Sequence, residues 1–140
     1  MPAPTDFPAH GKVISIDGSK LVFIPSNTSY QLQLEGTYSG ALNTPIQAYV
    51  RCVARKVLTA PSGGNFVEPI FGRPRTIQGR VRYADNKEIV IQAGVPIIVE
   101  LPTNDINIDL DDGPITVGNT VNIMVFPGAR FELAREPAIG

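Results

Sequence analysis

The stretch from Gly11-Lys12-Val13 through Asp17 to Leu21-Val22-Phe23 returns, ungapped and 68 positions later, as Gly79-Arg80-Val81 through Asp85 to Ile89-Val90-Ile91. The echo continues. Tyr30-Gln31-Leu32-Gln33-Leu34 aligns with Ile97-Ile98-Val99-Glu100-Leu101 after a one-residue deletion, and the run from Ile46 to Leu58 aligns with Val121 to Leu133. A pattern that recurs within 140 residues is the mark of an internal duplication. A unit of this size buries only about 60% of its unfolded surface and is marginal alone, so the two halves are expected to share one core. The expected layout is a flexible N-terminal segment (1–10), a first β half (11–60), a connector (61–76) and a second β half (77–135). Residues 11–135 then fold as one cooperative domain.

Period-two alternation predicts strands throughout. Val13 to Asp17 and Leu21 to Ile24 flank Asp17-Gly18, a pair that favours a tight hairpin because glycine tolerates positive φ. Leu21-Val22-Phe23-Ile24 is apolar on both faces, as in a strand covered from both sides. Tyr30, Leu32 and Leu34 alternate with polar neighbours, as in a half-exposed one. The second half repeats this with a turn at Asp85-Asn86, the strand Ile89-Val90-Ile91, and Ile97, Val99 and Leu101. A long fourth strand closes each half, with Ile46, Ala48, Val50, Cys52 and Ala54 on one face, answered by Val121, Ile123 and Val125. Pro127-Gly128 interrupts the second long strand, because proline donates nothing to a ladder. Thirteen prolines and thirteen glycines suit many short strands and frequent turns.

The connector begins as a turn-like run, Ala60 to Asn65, but Phe66, Val67, Ile70 and Phe71 are costly to expose. They predict a segment that laces the halves together. The strand order resembles an OB-type barrel in each half, Gly11 to Leu58 and Gly79 to Leu133, with a departure: Gly36 to Asn43 is too short and glycine-rich for the helix that OB folds usually carry. The expected fold is all-β, an internally duplicated compact β-barrel or sandwich of two OB-like or SH3-like four-stranded halves related by a pseudo-two-fold. One fused barrel and two separate ones both fit this order.

The catalytic inventory is poor. His10 is the only histidine and stands in the N-terminal segment, and Cys52 is the only cysteine and falls on an apolar strand face. An internal disulfide is therefore impossible, and a thiolate zinc site would need ligands shared between subunits. Phosphate-cradling and dinucleotide motifs are missing. Asp105-Ile106-Asn107-Ile108-Asp109-Leu110-Asp111-Asp112 has the look of a calcium loop, but Leu110 stands at the sharp-turn glycine position and Thr116 at that of the last glutamate. A solvated strand edge is the simpler account. No enzyme activity, cofactor or metal is expected.

Charge is uneven although the net value is −1. From Arg51 to Lys87 eight bases face two acids, and from Glu88 to Asp112 there are six acids and no base. Such runs neutralise one another within a molecule or between copies. Tyr49, Arg51, Val53 and Arg55 share one strand face, and Arg80 and Arg82 another. With Arg73 and Arg75 they form a candidate basic and aromatic face, in which a base stacks on Tyr49 while guanidinium groups meet phosphates. A pI near 5.8 argues against a dedicated nucleic-acid binder. Met124 and Phe126 replace Tyr49 and Arg51 in the second half, a candidate apolar interface. The start of the chain lacks the basic and apolar regions of a secretory signal, and no apolar stretch is long enough to span a membrane. The expectation is a cytoplasmic, non-catalytic binding or assembly module acting on itself or a protein partner, with OB-like binding of single-stranded nucleic acid as the alternative.

Overall fold

The computed structural model describes residues 3–59, 64–85, 87–101, 107–109 and 116–134, with the backbone alone for 59 and 107–109. Twelve strands form one mixed sheet, and the described residues contain no α-helix. A 3-10 turn, Pro4–Asp6, precedes β1 (Ala9–Asp17), β2 (Lys20–Pro25), β3 (Gln31–Glu35) and the long β4 (Ile46–Thr59). The connector carries β5 (Phe66–Glu68) and β6 (Phe71–Gly72). Then come β7 (Thr76–Ala84), β8 (Glu88–Gln92), β9 (Pro96–Glu100), β10 (Asn107–Asp109), β11 (Thr120–Val125) and β12 (Arg130–Leu133).

The sequence echo is an echo of register. Val13 faces Phe23 and Ser15 faces Val22 across β1 and β2, and Ile14 is squeezed out as a bulge. Across β7 and β8, Val81 faces Ile91 and Tyr83 faces Val90, and Arg82 is squeezed out, each position 68 residues on. In the third strands the register places Leu32 opposite Phe23 and Ile97 opposite Ile91, so the displacement there is 65 and the second half is three residues shorter, not one. Gly11 faces Ile46 and Gly79 faces Val121, which places the long strands 75 apart, as the sequence alignment has it.

The repeated glycine has a steric cause. A Cβ on Gly11 would collide with the carbonyl oxygen of Ile24, and one on Gly79 with that of Gln92, again 68 residues on. Neither needs positive φ. Each lets one strand cross close over its hairpin partner.

Strands are exchanged between the halves. β1 pairs with β2 and with the start of β4, and β3 meets β12, which lies antiparallel to β4. Following these pairs from β1 through β2, β3, β12 and β4 leads back to β1. The path from β7 through β8, β9, β4 and β11 likewise returns to β7. β4 belongs to both paths. Phe23, Leu32, Val50 and Phe131 are buried on the first path, and Ile77, Ile91, Ile97 and Ile123 on the second. All eight belong to one continuous core.

The connector laces the halves as expected, since β5 pairs with β7 and β6 with β3. Tyr30 adds a second tie: its hydroxyl donates to the Ala93 carbonyl and accepts from the Val67 amide. The apolar connector residues are not all covered, however. Val67 is buried, whereas Ile70 is 45% and Phe71 62% exposed. β6 spends its backbone on β3 and leaves the Phe71 side chain outward. The N-terminal segment packs too, with Pro4 and Ala9 buried and β1 beginning two residues before Gly11.

Candidate binding cleft

Sequence reasoning groups seven residues into one face, and the structure distributes them over four places. In β4 the two-residue period holds, with Ala48, Val50, Cys52 and Ala54 buried beneath Tyr49, Arg51, Val53 and Arg55. The outward side chains then meet different fates. The Tyr49 hydroxyl donates to the Thr5 carbonyl at 2.7 Å, which ties it to the N-terminal turn. Arg51, 18% exposed, lies 3.5 Å from Glu88 and 3.3 Å from Glu132. Its Nε is not aligned to bond Glu132 and is a buried donor without a partner, so Arg51 is held by charge more than by geometry. Beside it Arg130 pairs with Glu100. Arg130 faces Arg51, and Glu100 faces Glu88, across their ladders. Two guanidinium groups and three carboxylates thus close the junction where β8 and β9 meet β4 and β12, joining the basic run to the acidic run within one chain.

Arg80 is exposed on β7, and Arg82, the bulged residue, sets its guanidinium 5.5 Å from the centre of the Phe7 ring.

Arg55, Arg73 and Arg75 converge. Lys56 faces Met124 and Ala54 faces Val125, so Arg55 is the extra residue of a bulge in β4. Bulges re-aim side chains. This one sends the Arg55 guanidinium across to Met124 Sδ at 3.5 Å. The connector, having left β6, brings Arg73-Pro74-Arg75 past the same spot, fixed by the Arg75 amide on the Glu68 carbonyl and the Val125 amide on the Arg75 carbonyl. The result is a cleft of about 340 Å³ lined by Arg55, Arg73, Pro74, Arg75, Thr76, Met124, Val125 and Pro127. Among the described residues no carboxylate lines it, and none of the three arginines has an acid within ion-pair distance. Arg73 also lines a second cavity of about 210 Å³ with Lys20, Gln33, Leu34, Glu35, Gly128 and Ala129. Three guanidinium forks around an apolar floor of Met124, Val125 and proline are suited to hold an oxyanion with a hydrophobic neighbour.

Met124 is thus half-buried under Arg55, while Phe126, its expected partner in an apolar interface, is 41% exposed and does not line the cleft. The bulge at Arg55 has no signature in the sequence. The convergence of Arg73 and Arg75 had one, in the two arginines flanking Pro74.

Other reactive groups are spoken for. Burial pushes the Cys52 thiol up to about 12, against a smaller lowering effect of Arg130. Asp85 accepts from the Tyr83 hydroxyl and from the Lys87 and Glu88 amides, which holds its carboxyl below the usual carboxylate value and raises the Tyr83 phenol. It organises the second hairpin turn. His10 is exposed on β1 opposite Gln47. Of the acidic segment 105–112, the structure describes only the backbone of Asn107–Asp109, which runs parallel to Lys56–Leu58; the rest lies outside the described residues. Among the described residues no three His, Cys, Asp or Glu side chains gather as a metal site. No helix among them is long and apolar enough to cross a membrane. No protein-family model matches the chain, and neither a curated protein nor a solved structure is significantly similar to it.

Proposed function

We propose that this chain is a non-catalytic binding or assembly module, and that an acidic segment of a protein partner or of a second copy docks in the cleft of Arg55, Arg73 and Arg75. Its frame, in this reading, is two copies of one four-stranded OB-like unit, related by a pseudo-two-fold and closed into two five-stranded rings by exchange of their long strands. The observation that carries the proposal is the convergence of three arginines from β4 and the connector on one cleft, with no carboxylate of the described residues in its lining. Surface arginines are ordinarily dispersed or paired, and like charges held together cost free energy that an incoming anion recovers. The exposed Ile70 and Phe71, three and two residues before Arg73, supply apolar area beside the charge.

Light scattering at about 50 mM and about 500 mM salt, with Debye lengths of roughly 14 and 4 Å, tests self-association, and calorimetric titration with an acidic decapeptide tests the protein partner. Expected are a low-salt mass above the 15.1 kDa protomer or binding of the peptide, either one abolished by salt and by R55E/R73E/R75E. A monomer at low salt that ignores the peptide overturns the proposal.

Nucleic acid is the second reading, because guanidinium forks fit phosphate as well as carboxylate. It is weakened where it needs stacking: no aromatic side chain lines the cleft, and Tyr49 is bonded to the N-terminal turn. Three phosphate contacts would give single-stranded DNA a log–log salt slope of about −2. Binding of oligo-dT with that slope, tighter than any acidic peptide, would replace the first reading with the second.

A further inference from the structure

The chain contains its own comparison for the cleft. Carried across by the register displacements, Arg55 corresponds to Arg130, Met124 to Tyr49, and Arg73 and Arg75 to Thr5 and Phe7. At the corresponding place the first long strand is covered. Arg130 is neutralised by the Glu100 carboxylate, and the Tyr49 phenol lies across to the Thr5 carbonyl. An acid and an aromatic group therefore complete one site from within the chain. At the other, the one side-chain partner of Arg55 among the described residues is a thioether, and Met124 leaves open the space that a phenol takes in its counterpart.

We infer that the ligand of the cleft is a peptide segment in which an acidic residue adjoins an aromatic one, the carboxylate taken by Arg55 with Arg73 or Arg75 and the ring laid on Met124. The inference rests on the reading of this cleft as a protein-docking site and specifies what docks. The chemistry agrees on both counts. Guanidinium forks take a carboxylate in two parallel hydrogen bonds, and methionine sulfur makes favourable contacts with ring edges. A volume of about 340 Å³ is at the small end of ligand pockets, suited to one ring and its flanking charge and too small for a run of stacked bases. Val125, Pro74 and Pro127 wall it with rigid apolar surface, so little entropy is lost there on docking.

Three fluorescein-labelled pentapeptides separate the contributions: Gly-Glu-Phe-Glu-Gly, Gly-Glu-Ala-Glu-Gly and Gly-Lys-Phe-Lys-Gly, titrated by anisotropy against the full chain. The acidic aromatic peptide is expected to bind at least tenfold tighter than either of the others. M124Y, which installs the residue of the counterpart site, should erase its advantage over the alanine peptide. Met1 and Met124 are the only methionines, so the Met124 methyl resonance gives a readout independent of that variant's folding. A ring-current shift of this methyl on adding the phenylalanine peptide, absent with the alanine peptide, is expected; no shift overturns the inference. Equal affinity for the two acidic peptides, both weakened by R55E/R73E/R75E, overturns the aromatic anchor and leaves the docking reading standing. Affinities unmoved by that triple variant, or no binding of any peptide, overturn both.

Discussion

The two long strands pass through corresponding surroundings and end in opposite states. β4 runs unbroken for 14 residues, pairs at its middle with β9, and has its outward arginine, Arg51, held among Glu88, Glu132 and the Arg130–Glu100 pair. The run aligned with it is broken at Pro127-Gly128 into β11 and β12, and on the cleft beside that break Arg55, Arg73 and Arg75 gather with no acid of the described residues in the lining. The first hairpins match in register, bulge included, whereas the bulge at Arg55 has no match in the pairing of β12 with β4. At that break a proline and a glycine, which the sequence alignment sets against Cys52 and Val53, interrupt the ladder, and the cleft opens beside them.

The largest expected contrast is chemical. Cys52 is fully buried, and with its thiol at about 12 only about one molecule in ten thousand is thiolate at pH 8, against roughly a quarter for an ordinary cysteine. P127C, at the corresponding position on the cleft, should react with a maleimide about a thousandfold faster than Cys52 in the folded protein. Rates within tenfold would mean that the break opens nothing. Next come the repeated glycines, where the halves should agree: G11V and G79V each drive a side chain into a partner carbonyl and should each cost about 3 kcal/mol or more in urea unfolding. A loss below about 0.5 kcal/mol at either position would break the equivalence of the two hairpins. The smallest effect separates the junctions again. R51A strands Glu88 and Glu132 beside a half-buried seam and should cost about 1–2 kcal/mol, because both acids keep some water, whereas R55A should stay within about 0.5 kcal/mol. Equal losses would show Arg55 to be structural.

β1 to β4, β7 to β9, β11 and β12 were legible because each depends on local pattern: apolar alternation, Gly18 at a turn, Pro127-Gly128 at a break; β5 and β6 carry no such pattern. The sequence alignment matches the strand register to the residue in the first hairpin, at a displacement of 68, and at the start of the long strand, at 75. It slipped by two residues in the third strand, where Leu32 and Ile97 share only apolar character with their neighbours and any even shift preserves the alternation. Which strands pair across the halves was not legible, since the parallel contact of Arg51–Val53 with Ile98–Glu100 joins segments with no local signal for each other. The candidate site suffered for the same reason. A period of two places Arg51 and Arg55 on one stripe, and only the bulge opposite Met124 and Val125 sends them to different partners. Phe71 was expected to be covered, and its exposure follows from β6 docking by its backbone on β3.

The strand exchange has a consequence for synthesis. β3 and the start of β4 lie against β12, which follows every other described strand along the chain, so their hydrogen bonding cannot be completed until β12 has been synthesised. A growing chain must hold Val50 and its neighbours without their final cover until then. Such dependence on distant pairing makes for slow, all-at-once acquisition of structure, with the greatest hazard of clumping before β12 is in place.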